Sequence, residues 1–155
     1  MIKAIGKIGC SIGMSAGVCI YTCGQTGVTL NHSGTIGITE TASIVLNHLD
    51  EAGLEPGEIY LPDKSFKVYD EETVVRHLRL DRVSEIKYIP ETMDCDDFAA
   101  ALFGSFAGLV WNTKHALNWF ITTDGQFRFI EPQTDEISDR LSGWDKMDIR
   151  LIVGR

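Results

Sequence analysis

Apolar positions recur at helical spacing in three stretches of the chain. In TETASIVLNHLDEAG, Ile44, Val45, Leu46 and Leu49 make one stripe. Thr39 or Thr41 stands where an N-cap belongs, and Gly53 where a helix can end. YDEETVVRHLRL predicts a second helix, capped by Asp70 and with acids in its first turn. The third stretch, ETMDCDDFAAALFGSFAGLVW, spaces Phe98, Ala99, Leu102, Phe103, Phe106 and Leu109 along one face. Asp94 is its natural N-cap, which puts Cys95 at the first helical position.

Alternation marks the strands. Val28, Leu30, Ile36 and Ile38 around HSG predict a hairpin, and LEPGEIYLPDKSF, with two prolines, reads as a loop. HALNWFITTDGQFRFIEP predicts two strands joined at Asp124-Gly125, and MDIRLIV a closing strand. Mixed helices, then a main helix, then antiparallel strands make an α+β order.

The 155 residues suit one domain, 1–155, whose first 40 residues form a Gly- and Cys-rich strand region. A net charge of −8 disfavours nucleic acid and anionic lipid, which need clustered Lys and Arg, but it accommodates a cation. The run Arg76, Arg79, Arg82 reads as a solvated helix face, and Trp111, Trp119 and Trp144 read as core. No apolar run is long enough for a membrane span. Glycines interrupt the weak N-terminal likeness to a secretion signal, so that segment is expected to belong to the fold of a soluble protein. Cys10, Cys19 and Cys23 do not follow a zinc-site spacing, and they are expected to be small buried residues.

Cys95 has different surroundings. At a helix start, unpaired N–H groups and the dipole stabilise a thiolate and can donate to an oxyanion. His115 begins the next predicted strand and Glu131 ends the one after it, so a hairpin would set them at one sheet edge. With the helix packed so that its N-terminus faces that edge, Cys95, His115 and Glu131 form a nucleophile, base and orienter set. Asn118 and Gln133 are weaker candidates for orienter or oxyanion donor, and Asn118's odd offset puts it on the opposite strand face from His115. Asp94, Asp96 and Asp97 oppose a thiolate by their charge. They either serve as cap and first-turn acids or hold a hard divalent cation, for which their oxygens suit calcium.

The segments YLPDKSF, DCDDFAAALFG and KHALNWFITTDGQFRFIEPQTDEI resemble the C-terminal papain-like cysteine peptidase domain of the Marasmius oreades agglutinin family and its bacterial and phage relatives. The resemblance spans residues 59–140. It implies a papain-like α+β fold in which the Cys-bearing helix packs on a small antiparallel sheet. It also implies calcium-assisted peptidase activity on a peptide or protein substrate, with Cys95 as nucleophile, His115 as base, Glu131 as third member, and Asp96 and Asp97 near calcium. The Cys95-to-His115 interval is short for that family, and Ile89 stands where many papain-like enzymes place a Gln donor. Two other readings stand beside it: a transglutaminase-like or cell-wall amidase activity of the same triad, and a non-enzymatic calcium-stabilised interaction module. A homodimer through the first 40 residues is a further expectation.

Overall fold

The computed structural model describes residues 30–140, 143 and 148–155. Cys10, Cys19, Cys23, Val28 and Trp144 lie outside the described residues, as does most of the expected strand region 1–40. The chain forms β1 (Gly34–Gly37), α1 (Ile38–Ala52), β2 (Glu58–Tyr60), β3 (Ser65–Val68) and α2 (Glu71–Asp81). A 3-10 turn (Val83–Glu85) leads to α3 (Cys95–Ser105). Then follow β4 (Gly108–Asn112), β5 (Ala116–Ile121), β6 (Phe127–Glu131), β7 (Glu136–Ser138) and β8 (Ile149–Val153).

Six strands make one sheet in the order β2-β8-β4-β5-β6-β7, and β1 pairs with β3 in a second. Only β2 and β8 run parallel in the large sheet. Every residue of central β5 is buried, so both faces of the sheet are covered there. Alternation sends Leu117, Trp119 and Ile121 to one face, against Val45 and Leu49 of α1 together with Val110, Phe127 and Phe129. Phe120 faces the other way with Ile130, and packs with Val74 and Leu78 of α2, Leu102 of α3 and Phe106, which caps the C-terminus of α3.

These facts correct the expected fold class, α+β and papain-like on a small antiparallel sheet. The main sheet is large and mixed, and a second sheet accompanies it. The stretch read as a loop supplies the difference. Pro56 and Pro62 flank β2, whose backbone pairs in parallel with the last strand, a long-range partnership that local pattern does not signal. The HSG hairpin is corrected as well: Ile36 pairs with Phe66 of β3, and Ile38 opens α1. Gly37, not a threonine, is the N-cap of α1, and the buried Thr41 hydroxyl instead donates to the Gly37 carbonyl at 3.0 Å. Helix α3 stops at Ser105, so Leu109 belongs to β4.

Candidate functional site

Helix α3 begins as its sequence dictates. Asp94 and Asp97 form a reciprocal capping box, with the Asp94 N–H donating to Asp97 Oδ2 at 3.1 Å. Cys95 is the first helical residue, a half-buried free thiol. The helix is locked to the sheet by Asn118, which is fully buried: its Nδ2 donates to the carbonyls of Ala99 at 2.9 Å and Gly108 at 3.0 Å. Asn118 is therefore a clamp, and its amide donors are not turned to a ligand.

Two contacts fix the direction of α3. Ala99 meets Asn118, while Leu102 and Phe106 pack with Phe120 further along β5. The helix thus runs in the same direction as β5, and its N-terminus with Cys95 lies toward the sheet end where β5 starts. His115 and Glu131 lie at that end. Glu131 is one residue past the last β5–β6 pair, Asn118↔Ile130, and His115 precedes that pair by three. The His115 Nε2 and Glu131 Oε2 stand 2.6 Å apart, with the imidazole buried and the carboxylate one-fifth exposed. Such a short contact is charge-assisted when the imidazole is protonated. The other Glu131 oxygen accepts from the Gln133 N–H at 3.1 Å, so Gln133 steadies Glu131 through its backbone.

Asp94, Cys95 and Asp96 have ligand atoms within 4.8 Å of one another, the one such grouping among the described residues. Asp97 is held in the capping box. The Asp96 carboxyl titrates above its usual range, because it shares a hydrogen bond with Asp94, is desolvated, and faces the charges of Asp94 and Asp97. A hard cation bound by carboxylate oxygens relieves this kind of repulsion, whereas the Cys95 sulfur is a poor calcium ligand.

Two residues beside the site were not anticipated. Asn112 is buried and holds the β4–β5 turn through its side-chain oxygen. The signal for it is an Asn closing an alternating run just before a polar turn. Trp111 was expected in the core, but it is 40% exposed. It pairs across the strands with Ala116, the neighbour of His115, on the sheet face that receives α3. Trp119 is buried, as expected.

No family model matches the chain, and no curated protein matches it. Solved structures do. One, the PSL1a–E64 complex, is 21% identical with a TM-score of 0.65, over 77% of this chain and 51% of that one. Another, the Polyporus squamosus lectin bound to the human-type influenza-binding epitope Neu5Acα2-6Galβ1-4GlcNAc, is 22% identical with a TM-score of 0.62, over 77% and 49%. Both neighbours are forms of the Polyporus squamosus lectin. This corrects the assignment to a papain-like cysteine peptidase of the agglutinin family, and with it the calcium-assisted hydrolase, transglutaminase-like and amidase activities and the peptide substrate. Nothing in the comparisons indicates a nucleic-acid or membrane partner, and no helix among the described residues is long and apolar enough to cross a membrane. The chain spans about half the length of these lectin chains, and what it shares with them is a fold.

Proposed function

We propose that the chain is a ligand-binding domain whose site is the sheet end where Cys95, His115 and Glu131 gather. The observation that carries this reading is the 2.6 Å His115–Glu131 contact at the sheet end where α3 begins with Cys95. The buried pair presents a fixed donor–acceptor edge, while the helix start offers N–H groups to an anionic or polarised ligand atom. PSL1a is solved as a complex with E64, a thiol-reactive epoxide, and that compound is the natural first probe. Incubation with E64 and peptide mapping should find one adduct, on Cys95 and not on Cys10, Cys19 or Cys23. His115→Ala should slow its formation roughly tenfold. Labelling of Cys95 no faster than that of a small free thiol sinks the reading.

The exposure of Trp111 favours a second ligand class. An exposed indole next to hydrogen-bonding groups can stack on the C–H face of a sugar, and the Polyporus squamosus lectin is solved with a glycan. Calorimetry with Neu5Acα2-6Galβ1-4GlcNAc on the wild type and on Trp111→Ala tests this. Heat in the wild type that is lost in the variant supports it, and an equal response in both ends it.

Calcium is proposed at Asp94 and Asp96, with water completing the shell, because their mutual repulsion is what a cation neutralises. Added calcium should then raise the melting temperature, by about 2–4 °C per kcal/mol of binding energy. Asp96→Asn should abolish the rise. A wild-type melt indifferent to calcium removes the ion.

A further inference from the structure

We infer that Asn112 is a positioning residue of this site, setting His115 so that its imidazole meets Glu131. The inference rests on the ligand-binding reading above and names a part of the same site.

Strand alternation stops fixing side-chain direction where the sheet ends, and His115 lies just beyond β5. Something else must aim it, and the Asn112 side chain holds the turn Thr113–His115. The Asn112 Oδ1 accepts from the Lys114 N–H at 2.8 Å and from the His115 N–H at 2.7 Å. The Asn112 N–H donates to the His115 carbonyl at 3.0 Å, so both backbone groups of His115 are tied to residue 112. This is an Asx-type turn, which Asn and Asp form because their carbonyl oxygen reaches amides two and three residues on.

The strand also prepares Asn112 for this role. The β4–β8 register shifts between Trp111 and Asn112: Trp111 pairs with Leu151, but Asn112 with Ile149. A bulge of this kind re-aims a side chain. The Asn112 side chain is buried, and its Nδ2 has no hydrogen-bond partner among the described residues. A buried unpaired donor is costly and a residue of similar size without one would avoid it, so the oxygen is the part this position uses. Glu131 is steadied from its own side by the Gln133 N–H. Both halves of the pair are thus fixed before any ligand arrives, as a preorganised site requires.

The test reads the pair directly. In protein with 15N-labelled histidine, NMR should show a downfield, slowly exchanging Nε2 proton of His115 bonded to Glu131. Asn112→Ala and Asn112→Gln should lose it, the first for want of an acceptor and the second because the longer side chain misplaces the oxygen. Asn112→Asp keeps the acceptor and should restore the signal. The amide spectrum of β5 and β6 reports whether each variant is folded. Should Asn112→Ala not fold, the Gln and Asp variants decide. The inference is overturned if the proton is missing in the wild type, if it survives in a folded Ala or Gln variant, or if Asp fails to restore it. This readout does not depend on E64. A wild type that shows the proton pattern but leaves Cys95 unlabelled keeps the positioning role and discards the ligand reading.

Discussion

The two faces of the central sheet are built on different principles. The face under α1 is almost wholly apolar. Trp119 stacks on Phe127 at 5.2 Å and 15°, Phe127 meets Phe129 edge-on at 4.8 Å, and His48 lies on Phe127 at 4.7 Å. The face under α2 and α3 mixes its apolar core with buried polar groups. Asn118 clamps α3, and His77 Nε2 bonds to Ser105 Oγ at 3.1 Å near the end of that helix. Ser84 donates to Asp135 at 2.8 Å, and the Asp135 N–H donates to the Glu131 carbonyl at 2.9 Å. The contrast teaches that one face supplies stability through area removed from water, while the other uses directional bonds to place the helix that bears Cys95 and the turn that bears Glu131.

The largest effect should come from the first face. Phe127→Ala removes a side chain that is 2% exposed and touches three other rings. It should cost about 3–5 kcal/mol in a denaturant melt. Because Phe127 pairs with Ile121 at the end of the β5–β6 hairpin opposite to His115 and Glu131, the E64 labelling rate of Cys95 should hardly change in the folded variant. Asn118→Ala should cost less, about 2–3 kcal/mol, from two lost hydrogen bonds and a small cavity. Unlike Phe127→Ala, it should slow the labelling of Cys95, because α3 loses its clamp. Equal labelling in both variants, or slowing in both, would erase the difference between the faces.

Much of this division was legible in the sequence. Helix α3 starts at Cys95 because Asp94 and Asp97 are spaced as a capping box. Asp70 caps α2 as its position predicts, accepting from the Thr73 N–H at 3.0 Å. The alternation through 116–131 and the Asp124-Gly125 turn put His115 and Glu131 at one end, where they meet. Such signals are local. What sequence pattern missed is non-local: β2 joins β8, and β1 joins β3, across long stretches of chain that carry no pairing code. Asn112 and Asn118 were hidden for a related reason. An Asn is equally at home in an exposed turn, and only tertiary contact makes it a clamp. The peptidase reading failed at another level, since an ordered Cys, His and carboxylate do not name an activity.

The smallest effect, about 1–3 kcal/mol, should come from a charge buried on the polar face. The Asp81 carboxyl is pushed up to about 6 by burial, with the nearby Asp135 charge adding to the rise and the Val83 N–H opposing it. A carboxyl whose folded pKa lies above its unfolded one holds its proton more tightly in the native state. Its contribution to stability is therefore full below about pH 4 and is lost as pH rises through about 6. Burial lowers the pKa of His48 and His77, so these residues act in the opposite sense and remove stability as pH falls below 6.5. Asp81→Asn isolates the first contribution. The asparagine oxygen can still accept from the Val83 N–H, now 2.9 Å from Asp81 Oδ1. Its new amide replaces Asp81 Oδ2, which has no hydrogen-bond partner among the described residues. Melts from pH 4 to pH 8 should show the variant gaining on the wild type as pH rises and leading at pH 8, with little difference at pH 4. A variant weaker than the wild type at pH 8 would mean that the Asp81 charge is a net partner to its surroundings. The polar face would then hold helix α2 by charge as well as by hydrogen bonds.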